Sequence, residues 1–546
     1  MDNLLLECRQ QYPDSELDAL ECIANHIQSG MDSSKSQIET IDSSLKALSL
    51  IFTSILMFTM QAGFAMLCAG SVRTKNVPNT LLKNFLDACG AGVAYYVIGY
   101  ALAFGDSPSG IIQQDEINGE HTLTFAGSEH FFLIDFDNYG FWFYQFAFAA
   151  CCATIVAGTL AERSQMVAYF ANAIMLTGFV FPVVCHAVWS IHGFLNPFRK
   201  NPLFGSGMVD IAGAGVVHVT GGMTALIATV ILGPRKGRFH DEDGNFLRAS
   251  RRMKAHSPSL QVLGTFLLWI GWYGFNVGSV YFLPTAKDIS SVASLALVTT
   301  TLGATGGAIT SLGVSVWWNQ RQTGEPDYDI VNALNGCLSG LVAITAGASI
   351  VEPWAALLIG SFAGIFYLIG SSLLTKLHID DAVDAIPVHL VNGIWGVIAV
   401  GLFASPKRVM AVLQRDDHVG WFYSWGRSSS DASLLATNVL GVLCIILFVV
   451  VVMTPFFIIL HYVGLFRSDE LEDIIGLPFT SEYDEQRKHV KLPNGKTSGE
   501  PLRRASEKRR SGSEFSVSAF VETDDLSNHD VTTVSTRTWE NSCRTV

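Results

Sequence analysis

Two short stretches of this sequence place ionisable side chains where a bilayer or a core favours none. DIAGAGVVHVTGGM runs from Asp210 to Met223 and continues through TALIATVILGP without another charge. DAVDAIPVHLVNGI runs from Asp381 to Ile394, and laying the first stretch over the second without a gap places Asp210 on Asp381, Val217 on Val388, His218 on His389 and Gly222 on Gly393. An imidazole donates from one nitrogen and accepts at the other, so two of them can share and relay a proton without either holding a charge. The plainer alternative is two buried histidines, each satisfied by a backbone carbonyl. The repeated pattern of acid, valine and histidine favours a matched pair. Asp381 and Asp384 match the second copy at its start, where capping of a helix is the expected role.

Aromatic residues form the next unusual cluster. Phe266 to Ser279 reads FLLWIGWYGFNVGS and Phe141 to Phe148 reads FWFYQFAF. Desolvated ring faces attract a cation by about 0.5 to 2 kcal/mol each, so rings beside a hydroxyl such as Ser279 suit a small monovalent cation. A belt of aromatics at a membrane interface explains the same rings without a ligand. Gly271, Gly274 and Gly278 predict close helix packing.

The elements that must position these residues follow from the charge pattern. The chain has 546 residues, of which 49% are hydrophobic and 15% charged, with a mean hydropathy of +0.34. Eleven windows, each long enough to hold one membrane crossing, lack Asp, Glu, Lys and Arg: 47–72, 88–105, 138–161, 164–198, 211–234, 255–286, 289–320, 330–351, 353–375, 385–406 and 432–466. A helix of about 20 apolar residues crosses roughly 30 Å of hydrocarbon. The expected class is therefore an all-α polytopic membrane protein with eleven transmembrane helices. An ionised Asp at mid-bilayer costs at least a few kcal/mol, so Asp210 and His218 are expected to face the bundle interior. The histidines fall in the fifth and tenth windows, which predicts an inverted five-helix repeat with the site near the midplane.

Basic residues set the orientation. Arg73, Lys75, Lys83, Arg163, seven residues between Arg235 and Lys254, Arg321 and Lys376 lie on one side, and the acidic 106–137 loop lies on the other. This predicts the N-terminus outside and the C-terminus inside. Residues 1–46 lack the basic and apolar regions of a signal peptide, so the first span is expected to insert by itself. The net charge of −13 sums over two faces and points to no nucleic acid partner. No CxxC, HExxH or GxxxxGK[ST] occurs, so neither enzyme, metal nor cofactor is expected. Cys8 and Cys22 could form a disulfide on the outer side. Residues 467–546 carry 12 basic residues among many Ser and Thr, and their composition predicts a largely disordered cytosolic tail. RRAS (Arg503 to Ser506) and RRSGS (Arg509 to Ser513) could pair a phosphate with arginines, or could belong to a solvated basic tail. The expected division is 1–46 as an extracellular segment, 47–466 as the membrane domain and 467–546 as the tail.

The blocks FYQFAFAACCATIVAGTLAERSQ, LTGFVFPVVCHAVWS, FGSGMVDIAGAGVVHVTGG, LGTFLLWIGWYGFNVGS, LNGCLSGLVAITAGASIVEPWAA and DDAVDAIPVHLVNGIWG resemble, in order, the ammonium transporter (Amt/Mep/Rh) family, closest to its plant and algal Amt type. The resemblance implies a homotrimer at the plasma membrane with one pore per subunit, carrying ammonium and its analogue methylammonium. It implies an outer recruiting vestibule at Trp189, Ser279 and Phe148, a ring gate at Phe148 and Phe275, a pore-lining Trp272, twin pore histidines at His218 and His389, and an acid near the recruitment site at Asp210. It also places Thr480 at a position where a protein kinase closes the pore in relatives, although Pro478 and Glu482 stand where that family segment has Asp and His. An ammonium sensor on the same scaffold is the alternative reading.

Overall fold

The computed structural model describes residues 2–106, 121–241, 245–248, 250–251, 253–286, 288–427 and 430–468. Among these it contains helices, three isolated β-bridges and no strand. Helix α1 spans Asp2–Gln11 and α2 spans Glu16–Phe58, continued after Thr59 by α3, Met60–Ser71. There follow α4 (Thr74–Phe104), α5 (Tyr139–Leu160), α6 (Met166–Trp189), α7 (Ala214–Leu232), α8 (Pro258–Val280) and α9 (Ile289–Thr323). The series ends with α10 (Ile330–Thr345), α11 (Pro353–Lys376), α12 (Ile386–Phe403) and α13 (Ser433–Tyr462). Ten helices among the described residues are long and apolar enough to cross a membrane, counting α2 and α3 as one. The eighth charge-free window holds the shorter α10, 16 residues long.

The first helix begins well before its charge-free window, because charge marks the edge of the bilayer and not the end of a helix. Ser15 caps α2 by accepting from Asp18 N–H at 3.3 Å, and the residues from there to Lys46 include no proline and the single glycine Gly30, so the helix continues until the membrane is reached. Cys8 and Cys22 form a disulfide that holds α1 against α2.

The interior is built from small residues that let helices approach. A side-chain carbon on Gly274 would collide with the Thr53 carbonyl oxygen, and one on Gly264 with the Leu67 backbone nitrogen, so α8 crosses the first helix nearly backbone to backbone. Helices α7 and α12, which carry the two matched stretches, cross each other. Gly222 faces the backbone of Leu390, and its counterpart Gly393 faces the backbone of Ala214 and Val219. Each helix opens with a wider π-helical turn, Ala214–Val219 and Ile386–Val391. These turns contain His218 and His389, and such turns recur at functional sites.

The expected tail boundary at residue 466 falls inside an ordered contact. The Arg467 guanidinium donates to the Leu232 and Pro234 carbonyls at 2.7 and 2.8 Å, and Ser468 N–H donates to Arg163 O at 2.9 Å. Pro478, Thr480, Glu482, Ser506 and Ser513 lie outside the described residues.

Candidate functional site

The site is a column of side chains running through the crossing of α7 and α12. At one end lies a cavity of about 70 Å³ lined by Phe104, Phe148, Trp189, Asp210, Ser279 and Phe282 among others. Trp189 ends α6, and its indole N–H donates to the Asp210 carbonyl at 2.8 Å, which fixes the ring. Ser279 lies in the last turn of α8, where its hydroxyl donates to Phe275 O at 2.8 Å and stands 3.1 Å from the Tyr144 hydroxyl. Tyr144 also donates to Phe275 O at 2.9 Å, which ties α5 to α8 at this level. These partners are remote in the chain, so the place of Tyr144 is invisible in FWFYQFAF. Sequence reasoning missed it, together with the lining residues Phe104 and Phe282.

Below the cavity the path closes. Phe148 and Phe275 meet with ring centroids 4.5 Å apart at 73°, an edge-to-face contact between two fully buried rings. Phe148 also packs on Trp189 at 5.2 Å, so one ring serves both the cavity and the constriction. Beneath it, His218 packs nearly parallel to both Phe275 at 5.5 Å and Trp272 at 5.2 Å, whose own ring centroids are 5.7 Å apart. Trp272 is held by donating from its indole to Thr345 Oγ1 at 2.8 Å.

The histidines meet. His218 Nδ1 and His389 Nδ1 are 3.1 Å apart, with the rings nearly parallel at 20° and centroids 5.1 Å apart. Neither imidazole is satisfied by the backbone carbonyl that the plainer alternative requires. His218 Nε2 is buried without a hydrogen-bond partner. A Nδ1···Nδ1 bond needs the proton on one ring only, so the neutral pair presents one bare Nε2 acceptor and one Nε2–H donor.

Asp210 performs its work through the backbone. Its Oδ1 accepts from Gly213 and Ala214 N–H at 3.0 and 2.8 Å, and its Oδ2 accepts from Gly215 and Val216 N–H at 2.8 and 3.0 Å. One carboxylate therefore satisfies four N–H groups at the start of α7, the number a helix leaves without partners. Asp381 accepts from Val383 and Ile386 N–H at 3.2 and 2.7 Å at the start of α12, the capping role expected of it. Asp384 differs: its carboxylate accepts from the Tyr367 and Ser371 hydroxyls at 3.0 and 3.2 Å.

At the far end a second cavity is lined by Arg235, Asn335, Tyr367, Asp381 and Asp384 among others. Beside it lies an ion network that sequence reasoning read only as basic loops. Arg235 pairs with Glu162 at 2.6 Å and with both oxygens of Asp380 at 2.8 Å. Arg73 pairs with Glu162 as well. Buried Arg163 donates to the carbonyls of Thr159, Gly233 and Asp380 at 2.9, 2.8 and 2.6 Å, joining the end of α7 to the residues before α12. Burial alone would push the carboxyls up. The Arg235 and Arg73 charges beside Glu162, and those of Arg235 and Arg163 beside Asp380, more than offset it and hold both below the usual carboxylate range.

Comparisons with known proteins agree with this arrangement. The family described as Ammonium Transporter Family matches residues 47–488. Ammonium transporter 1 member 3 of Solanum lycopersicum is 38% identical over 461 residues, 81% of this chain and 93% of its own length. Ammonium transporter 1 member 2 of Arabidopsis thaliana is 40% identical, covering 76% of this chain and 78% of the relative. Among solved structures, one titled Sensor Amt Protein superposes with a TM-score of 0.67 at 27% identity, over 81% of this chain and 99% of that one. Mep2 of Candida albicans gives 0.64 at 25% identity, over 80% and 90%.

Proposed function

This chain belongs to the ammonium transporter family, a family of membrane carriers and not of enzymes, and we propose that it moves its substrate as neutral ammonia with the proton travelling separately. Ammonium is drawn into the cavity at Phe148, Trp189 and Ser279, where ring faces and a hydroxyl replace part of its water. Moving a bare charge past the Phe148–Phe275 contact costs several kcal/mol, whereas ammonia carries no such penalty. The cation therefore leaves its proton with water in the cavity. Ammonia passes the rings as they swing and meets the bare acceptor and the N–H donor of the His218–His389 pair, which match its own donors and lone pair. The proton follows when the swung rings let a water bridge the cavity to the bare Nε2 acceptor: that nitrogen takes a proton, the Nδ1 proton passes along the Nδ1···Nδ1 bond, and the other ring releases its Nε2 proton below, which exchanges the roles of the two rings. Potassium has no proton to leave and is refused. Trp272 lines the path below the gate, and Asp210 acts through the cap and its charge.

The observation that carries this reading is the direct imidazole contact at 3.1 Å inside an aromatic column. The wider proposal is an eleven-span homotrimer in the plasma membrane, with 1–46 outside, 47–466 as the transport domain and 467–546 as a cytosolic tail on which a kinase acts at Thr480. The sensor alternative is not favoured: the plant relatives at 38% and 40% identity bear transporter names, whereas the solved structure titled a sensor is 27% identical.

The test is voltage clamp on adding ammonium, with uptake of labelled methylammonium in the same cells. A saturable inward current that potassium does not evoke is expected, lost in His218→Ala. Uptake with no current would replace the relay by net ammonia conduction. An unchanged current and selectivity in His218→Ala would remove the histidines from the path.

A further inference from the structure

The part of α2 that precedes the first charge-free window is a helix of unusual length with an uncovered apolar stripe. From Glu16 to Lys46 it extends roughly 45 Å at about 1.5 Å per residue. Apolar residues recur at alternating steps of three and four: Leu17, Leu20, Ala24, Ile27, Met31, then Ile38, Ile41, Leu45, Leu48, Phe52 and Ile55, with Ser34 the one polar member of the series. This is a heptad seam with Leu17, Ala24, Met31, Ile38 and Leu45 at a, and Leu20, Ile27, Ser34, Ile41 and Leu48 at d. Its members are bare. Leu17 is 77% exposed, Met31 62%, Ile38 66% and Leu48 64%.

What covers the rest of the helix leaves the seam free. Helix α1, tied by the Cys8–Cys22 disulfide, packs over the c, f and g positions of the first turns, where Ala19 is buried and Cys22 and Ile23 are half-buried, and leaves Leu17, Leu20, Ala24 and Ile27 at a and d exposed. The stripe cannot be turned onto the lipid surface, since α2 runs without a break from Glu16 to Phe58 into the membrane and so stands away from the bilayer. An apolar ladder of this length in water requires a partner.

We propose that the partner is the same segment of other copies of this chain, and that three α2 helices join in a parallel stalk above the membrane. Copies inserted in one membrane share one orientation, so their helices are parallel and their heptads stand level, as a coiled coil requires. The seam keeps its phase into the membrane span through Leu48, Phe52 and Ile55, so neighbouring helices need no break where they enter the bilayer. The flanking positions permit the contact. Gln37 and Ser44 at g oppose Asp42 and Ser49 at e of the next helix, and Gly30 opposes Lys35. A like-charged pair, Glu16 with Glu21, falls at the first turn, where a helix frays. Isoleucine at both a and d, as at Ile38 and Ile41, favours three strands, and Ser34 at d sets the register at one level.

The full chain in membranes provides the test, with two differently tagged copies expressed together. Under mild oxidation Ser34→Cys, on the seam, is expected to yield a disulfide-linked pair carrying both tags, and Ser36→Cys, at the outward f position, is not. The Gln37→Cys/Asp42→Cys double variant joins g of one helix to e of the next, so its covalent ladder is expected to end at three chains. Equal cross-linking at Ser34→Cys and Ser36→Cys, or an adduct joining the chain to a different protein, would overturn the proposal. A ladder ending at two chains would overturn the three-stranded form. Ile38→Asp with Ile41→Asp is expected to lower the melting temperature of the purified assembly and leave methylammonium uptake per copy at the surface intact. An unchanged melting temperature would also count against the stalk.

Discussion

At the scale of the residue, the site depends on polar atoms used to their full capacity. Asp210 shows this best. Its two oxygens hold four backbone N–H groups, and its own carbonyl holds the Trp189 indole. In Asp210→Asn the amide nitrogen replaces one oxygen and presents hydrogens to two N–H donors that then have no acceptor. Hydrogen bonds to a charged group contribute about 1.5 to 3 kcal/mol each. The variant is therefore expected to lose on the order of 3 kcal/mol of stability and to raise the KM for methylammonium as the loosened turn shifts the Asp210 main-chain carbonyl that holds the Trp189 indole, read by thermal melting of the purified protein and by uptake. Full stability and transport would show that the acid is dispensable. Thr345→Val tests the same principle lower in the column, since it leaves the Trp272 N–H buried without an acceptor. Its transport rate is expected to fall with recruitment unchanged. Asp210, His218 and His389 were legible in the sequence because a repeated ionisable pattern in apolar surroundings has few neutral explanations. Tyr144 and Thr345 were not: a hydroxyl among apolar residues carries no periodic signal, and its partner is known only after the chain folds.

The elements carry the geometry that no single residue supplies. Two imidazoles approach to 3.1 Å because α7 and α12 cross at a pair of matched glycines. A side-chain carbon at position 222 would lie 2.5 Å from Leu390 N, and one at position 393 would lie 2.8 Å from Ala214 O. Both obstacles are backbone and cannot rotate away. Overpacking of this kind costs typically about 1 to 3 kcal/mol. Gly222→Ala is expected to spread the helices and reduce ammonium current several-fold. Gly313→Ala is the control: it lies on α9, has nothing within 4 Å of the added carbon, and should be neutral or up to about 1 kcal/mol stabilising through helix propensity. Equal currents in the two variants would show that the crossing distance does not govern transport. The repeat of acid, valine, histidine and glycine at matched spacing made this pairing of helices legible in outline. The π-helical turns that hold the histidines were not, because no residue type specifies them; they arise where two helices with their own interior contacts must meet in register.

Across the whole molecule, the two histidine helices are referred to a common base. Arg163 joins the end of α7 to the residues before α12, Arg235 binds Glu162 and Asp380 together, and Arg467 seals the same loops from the start of the tail. The charge pattern showed the arginines as a topological signal and gave no hint of the acids they meet, since Glu162 and Asp380 stand in loops from opposite halves of the repeat. The network makes a statement about pH. Both carboxyls titrate below their ordinary range in the folded protein, so the folded state binds fewer protons than the unfolded one and gains stability from them above that range. That contribution is complete at neutral pH and is lost as pH falls through the depressed folded values. Arg235→Gln leaves two buried carboxylates short of a counter-charge, and removing one partner of a buried pair costs roughly 3 to 5 kcal/mol. The purified protein is expected to melt at a constant temperature from neutral pH to the top of the carboxylate range and then to fall steeply, with the variant lower at neutral pH and flatter below. Parallel curves for the two proteins would show that the network is not what acid disrupts. Because Arg163 and Asp381 connect this base to the histidine helices, the current through Arg235→Gln is expected to fall even at temperatures where it remains folded.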